Sequence, residues 1–316
     1  MNFTAQPDPV YANMQDWMQQ WSDLETRLHV LLLSPQRSPD FPAQLDNLHQ
    51  RITQLLAADA DSTLYWLFQL AASSTVAYSA SHAMICSALC HLVAPALGLH
   101  GGQQHSLAMA ALTMNIAMTR LQDDLATQSS APTASQRESI DTHAARSAQW
   151  LRELGIVDAD WLSVVEQHHD ASSSPSLLTR TLMATDRYAA LISPRETRPG
   201  KCITDSARHV IVRSGDTIDD VGQALLQTVG ICPPGTFVRL NDGRVAVVLR
   251  RSGRPGEPWV ASVLDANQHP VPEPELINTA EDGRGIEAAL VTQSVRARLN
   301  HPRLLQLSRM ALAHGG

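Results

Sequence analysis

The sequence predicts a mainly α protein, a helical bundle with an N-terminal helical hairpin and a small C-terminal antiparallel β module. Apolar residues recur at helical spacing through most of the chain, aromatic residues are scarce at 4%, and alternation of period two appears only in the last quarter. The 316 residues are enough for more than one compact unit. The expected division is an N-terminal helical region (1–64), a helical domain (65–230), and the β module with a closing helix (231–316). With 44% hydrophobic and 17% charged residues, the composition excludes collagen, coiled coil and wholesale disorder.

Along 14–33, Trp17, Trp21, Leu24, Leu28 and Leu31 fall on one helical face, and Pro35 and Pro39 end the run. The pattern repeats over 45–56, giving the hairpin, which either covers core surface or makes a dimer contact. A third run begins near Asp61 with Leu64, Leu67 and Leu70. YSASHAMICSALCHLVAPALGL then reads as one amphipathic helix ending at Gly98. Further helices are expected over 104–125, 135–154, 158–169 and 177–191, with TQSSAPTAS as a solvated loop between the first two of these. Another helix is expected over 217–227, after Asp216 and before Gly230. GTFVRLNDGRVAVVLRRSG alternates apolar and polar residues around Asn241, Asp242 and Gly243, a strong hairpin signal. PWVASVLD supplies a third strand, and a last helix is expected over 286–307. No internal repeat is present.

Lys and Arg total 24 against 31 acids, a formal charge of -7, which argues against a nucleic-acid polymer or an anionic membrane as partner. No stretch reads as the roughly 18 uncharged apolar residues of a membrane span. The opening MNFTAQPDPVYANMQDW lacks the basic and apolar regions of a signal peptide, so a cytoplasmic protein is expected. Cys86, Cys90, Cys202 and Cys232 form no C-x-x-C pair. Cys86 and Cys90, with His91 beside them, admit a soft-metal cluster, but small buried hydrophobes are the more ordinary role.

Thirteen histidines invite a metal reading, and spacing selects among them. His82, His143 and the adjacent His168 and His169 sit on separate predicted helices, with Asp186 on another; a bundle brings such groups together in its core. Neighbours on a helix point about 100° apart, so His168 and His169 suit two metals, or one metal plus a ligand, better than one small ion. The competing reading is a set of ordinary core histidines.

Four segments, Y-S-x-x-H at His82, I-D-x-H-x-x-x-S-x-x-W-L at His143, V-x-x-H-H-D at His168 and His169, and T-D-R-Y-A-A-L-x-S-P-R-x-x-R over 185–198, together resemble the HD-GYP subfamily of HD-domain phosphohydrolases. The resemblance spans about residues 65–275, including P-P-G-T-F-V-R-L-x-D-G-R-V-A-V-V, which is similar to the β module trailing such domains. It implies an HD-domain-like helical bundle using two or three metals, commonly iron or manganese, to hydrolyse cyclic di-GMP. It further implies metal ligation by His82, His143, His168, His169 and Asp186, and phosphate contacts by Arg195 and Arg198, with Glu196 weakening the field between them.

Two departures stand out. Where the subfamily carries H-D-x-G-K, this chain has Met114, Asn115, Ile116, Ala117 and Met118; DASSSPSLL from Asp170 replaces the G-Y-P loop. Two divalent cations about 4 Å apart repel by roughly 17 kcal/mol at an effective dielectric of 20, so they need a bridging anion. Asn115 supplies no charge, and the thioether of Met114 suits neither iron nor manganese; Met109, Met114 and Met118 read as core packing. Asp186 is the remaining anionic ligand of the matched set. The expectation is a centre without the two-metal dyad, silent towards cyclic di-GMP and serving as a nucleotide-binding or protein-interaction module in bacterial signalling. It would hold either one divalent transition metal (iron, manganese or zinc) on His143, His168 and His169 or none. The alternative is an active phosphodiesterase or phosphohydrolase with that reduced histidine site. Expected partners are cyclic di-GMP or a signalling protein docking on the Trp17–Trp21 helix, whose amphipathic character also admits a homodimer.

Overall fold

The computed structural model describes residues 9–73, 76–169, 175–192, 219–254, 256–281 and 284–314. Helices α1 (Pro9–Leu33) and α2 (Phe41–Ala58) form the expected hairpin. The Asp40 carboxylate accepts from Ala43 N at the start of α2, and Pro42 occupies its first turn. Trp17, Trp21, Leu24, Leu28 and Leu31 are all buried. The two indoles pack edge-on at 6.0 Å inside the bundle, so the docking surface expected there is already covered by the chain itself.

Helix α3 (Ala60–Ser73) leads to α4 (Tyr78–Val93), which passes through a 3-10 turn, Ala94–Leu97, and stops at Gly98 with φ +71°. The sequence reads α4 as amphipathic, but every residue from Tyr78 to Cys90 is buried. A helix apolar on all sides belongs at the centre of a bundle. The expectation that no stretch has the length and apolarity of a membrane span is likewise corrected. Tyr78–Leu97 has them, with mean hydropathy 1.5, yet 72% of the stretch is packed inside the protein.

The helix predicted over 104–125 is broken. It divides into α5 (Gly102–Thr113), a 3-10 turn at Ile116–Met118, and α6 (Thr119–Thr127), the break falling on Met114 and Asn115. Helix α7 (Ala134–Glu153) opens on a capping box between Thr133 and Gln136. The Asp158 side chain caps α8 (Ala159–Gln167), and α9 is Leu177–Ile192. Asp219 caps α10 (Asp220–Val229); the start predicted at 217 lies outside the described residues.

Among the described residues five antiparallel strands follow where the sequence shows three. They are β1 (Phe237–Leu240), β2 (Val245–Arg250), β3 (Trp259–Leu264), β4 (Leu276–Asn278) and β5 (Ile286–Leu290), in the order β4-β3-β2-β1-β5. Gly243, at φ +85°, turns the β1–β2 hairpin as expected. The helix predicted over 286–307 is wrong in its first half. IEAAL pairs with the free edge of β1, and α11 (His301–His314) begins only at Asn300, whose side chain accepts from Arg303 N. A contiguous apolar core runs from Met14 to Leu307, joining the inner face of the sheet to the bundle.

Candidate metal and ligand site

Of the sequence-selected residues, His82, His143, His168, His169 and Asp186 are described, and they assemble into two neighbouring sets. In the first, His82 Nε2 donates to Asp186 Oδ1 at 2.8 Å across α4 and α9. The Tyr78 ring lies parallel to the imidazole, 10° off, at 5.8 Å. Cys86, one turn along α4, brings Sγ to 3.6 Å from His82 Nε2. The i,i+4 spacing of His82 and Cys86 was the sequence signal for this neighbour. Burial first, then the negative charge of Asp186, pushes the Cys86 thiol far up, so it stays protonated and is a poor metal ligand. Cys90 turns to Thr185 Oγ1 at 3.2 Å and is pushed up to about 12, chiefly by burial. The soft-metal cluster of Cys86, Cys90 and His91 is therefore not assembled.

The second set is His143, at mid-α7, with His168 and His169 in the turn closing α8. Ring centroids are 5.1 Å apart for His143–His168, 5.0 Å for His143–His169 and 4.2 Å for His168–His169. Their ligand atoms all lie within 4.8 Å of one another. His143 Nδ1 is 2.5 Å from Ile140 O, and His168 Nδ1 is 2.7 Å from Val165 O. A carbonyl oxygen only accepts, so each Nδ1 carries the proton. Burial pushes both imidazoles down, His168 to about 3, leaving them neutral with bare Nε2 atoms. Those two atoms face each other at 3.2 Å. Two lone pairs aimed at one point repel unless something positive lies beside them, and a backbone-anchored Nδ1–H is the usual support of a metal-binding imidazole.

Asp186 ties the sets together. Burial raises its carboxyl, but the hydrogen bond and electrostatic attraction of His82, followed by the attraction of the His168 and His169 rings, overcome this and hold it below the usual carboxylate range. Its own charge in turn bears on His143 and His168.

Met114 and Asn115 are elsewhere in character. Met114 is 1% exposed and belongs to the apolar core. Asn115 sits at the break after α5, its Oδ1 buried without a hydrogen-bond partner among the described residues. It lines a cavity of about 10 Å³ together with Ser79 and Gln122, whose Oγ and Oε1 are likewise buried and unpartnered. Ser79 is one helical turn before His82, so the cavity adjoins the first set on α4. Met118, half-buried, closes the 3-10 turn. Arg195 and Arg198 and residues 170–174 of the segment replacing the G-Y-P loop lie outside the described residues; Leu177 and Leu178, its last two, open α9, and the Ser176 hydroxyl accepts from Thr179 N at 3.1 Å. Sequence reasoning missed a third group, Asp46, His49 and His105 on α2 and α5; the D-x-x-H spacing of the first two was its available signal.

The donor chemistry fits a single divalent ion. Three imidazoles converge, and a fourth imidazole with one carboxylate stands beside them. It does not fit a two-metal centre, because among the described residues of the two sets Asp186 is the only carboxylate and no anion is left to bridge.

No family model matches the chain. It is 24% identical over 265 residues to the cyclic di-GMP phosphodiesterase PA4108 of Pseudomonas aeruginosa, a match covering 79% of this chain. The chain spans 64% of the length of that relative. Among solved structures it is similar to Bd1817, an HDG"Y"P protein from Bdellovibrio bacteriovorus, with a TM-score of 0.49, 11% identity, and coverage of 72% of this chain and 74% of that one. The HD-GYP resemblance read from the motifs is borne out by the curated relative.

Proposed function

We propose that the protein is a degenerate HD-GYP-type module that binds cyclic di-GMP or a signalling protein without hydrolysing the nucleotide. The relative's activity supplies the ligand class. The observation that carries the loss of turnover is the replacement of the bridging carboxylate by a neutral amide, with Asp186 already engaged by His82 at 2.8 Å. His143, His168 and His169 would hold one divalent transition metal. Such an ion would supply Lewis acidity, and the chain's own residues fix the rings through Ile140 O and Val165 O. Arg195 and Arg198 are the proposed phosphate contacts.

The convergence of the three histidines favours a second reading, a metal-dependent phosphodiesterase working from that reduced site. Turnover of cyclic di-GMP, calorimetric titration with it, and elemental analysis on one purified sample decide between the two. Binding without turnover, with bound metal lost in His168→Ala, is the expected result. Hydrolysis that disappears in His168→Ala establishes the enzyme instead. Binding lost in Arg195→Ala supports a retained nucleotide pocket, and absence of any nucleotide binding leaves the protein-partner role.

A further inference from the structure

A second cluster of metal-ligating side chains lies away from the HD-like site. Asp46 and His49 are three residues apart on α2, so they share one face. His105, in the first turn of α5, meets them from the neighbouring helix. The ligand atoms of the three lie within 4.8 Å of one another, and the rings of His49 and His105 meet edge-on at 5.0 Å. His82 and His91 are nine residues apart on α4, roughly 13 Å along the axis, and it is His91 that is near enough for its charge to bear on His49. The cluster therefore sits at the far end of the central helix from His82 and Asp186.

His49 itself gives the second observation. It is 8% exposed, and its Nδ1 is buried without a hydrogen-bond partner among the described residues. Its Nε2 has only a long contact, 3.4 Å to Thr53 Oγ1. Leaving a buried ring nitrogen unmatched is unfavourable, and nearby His91 Nδ1 is in the same condition. Burial, then the charges of His105 and His91, pushes His49 down to about 4, so the ring is a neutral donor at pH 7. Asp46 is held in place by Gln50 Nε2, 2.7 Å from Oδ2. Asp46 also supplies the negative charge that imidazole ligands do not bring. A D-x-x-H pair from one helix with a third ligand from a second helix is a pattern by which bundles hold metals.

We propose that Asp46, His49 and His105 form a zinc site. Two imidazole nitrogens and one carboxylate oxygen, with water completing the tetrahedron, match the borderline character of Zn²⁺. The site bridges α2 to α5, so the ion would tie the N-terminal hairpin to the bundle. The test uses the full chain, freed of any affinity tag and stripped by chelator, titrated with Zn²⁺ by calorimetry and with Co²⁺ by visible absorption. The background variant His143→Ala/His168→Ala removes the other histidine set. In that background one equivalent of Zn²⁺ should still bind, with a tetrahedral Co²⁺ spectrum. His49→Gln or His105→Gln added to it should weaken binding at least tenfold while the circular dichroism is unchanged. Asp46→Asn, at a half-buried position, gives the same readout with less risk to folding than a change at buried His49. Zinc binding in the background variant that is indifferent to all three substitutions, or no binding at all, overturns the site. Loss of metal only on His143→Ala/His168→Ala would speak to the HD-like centre alone.

Discussion

At Asn115 one side-chain atom separates an amide from the carboxylate that the HD-GYP resemblance implies there, and the surroundings bear on which of the two the site tolerates. An Asp would place a charge in a cavity shared with Ser79 and Gln122, whose hydroxyl and amide are already short of partners. Burying an unpaired carboxylate costs several kcal/mol, so the neutral amide is the tolerable side chain as long as no cation is present. The repair variant Met114→His/Asn115→Asp/Met118→Lys should therefore be less stable than the parent when stripped of metal. It should recover on adding Mn²⁺ or Fe²⁺, with more bound metal per chain. Elemental analysis and thermal melts with and without the ion check this; metal content no higher than the parent's means that these positions do not face the histidines. The histidines themselves were legible from spacing and motif order. The anchoring of His143 and His168 on Ile140 O and Val165 O was not, because it depends on ring rotation that no pattern encodes.

Among the elements, the sequence is most informative where periodicity and packing agree and least where a partner decides. Helices α7 and α8 are legible because Thr133 and Asp158 cap an apolar stripe. Ile286–Leu290 is not, since IEAAL favours a helix and becomes β5 only because β1 offers an unpaired edge. The break after Thr113 was hidden by continuous apolar residues on both sides. Helix α11 adds a testable pH effect. His301 Nδ1 accepts from the Tyr65 hydroxyl at 2.9 Å, and Trp66 packs edge-on at 5.5 Å. Burial pushes His301 below its usual range, so the unfolded chain binds the proton first. The stability from His301 is thus complete above the unfolded value of about 6.5, falls as pH drops towards the folded pKa, and then levels off. His301→Gln keeps an acceptor for Tyr65 without titrating. Thermal melts from pH 8 to 5 should show a shallower acid decline for the variant, by at most about 1.4 kcal/mol per pH unit. Equal slopes would mean His301 is hydrated in both states.

For the whole molecule the question is whether sheet and bundle open separately. Arg250, on β2 and 8% exposed, reaches out of the sheet. Its Nη2 donates to both oxygens of Asp59 at 2.7 Å, Nη1 to Asp61 at 3.3 Å and Nε to Ser308 O at 3.0 Å. Asp59 also accepts from Ser62 N at the start of α3, so one guanidinium joins β2, α3 and α11. Close by, Gln69 Nε2 donates to Gly235 O at 2.9 Å, where a Cβ on residue 235 would come within 3.1 Å of Phe68. These contacts, with the apolar core continuous from bundle to sheet, make the described elements one cooperative unit. Hydrogen exchange should then give amides of β1–β3 and of α3–α4 the same opening free energy. Arg250→Met leaves Asp59 without its guanidinium, whereas Asp61 keeps Arg251 Nε at 2.5 Å; the change should cost about 3–5 kcal/mol, lowering both sets of amides together. Adding Asp59→Asn should recover part of that loss, because what is removed is mainly the penalty of unpaired charge. If the strands of Arg250→Met exchange freely while α4 keeps its protection, the sheet is an independent module and the joint is only a contact between two units.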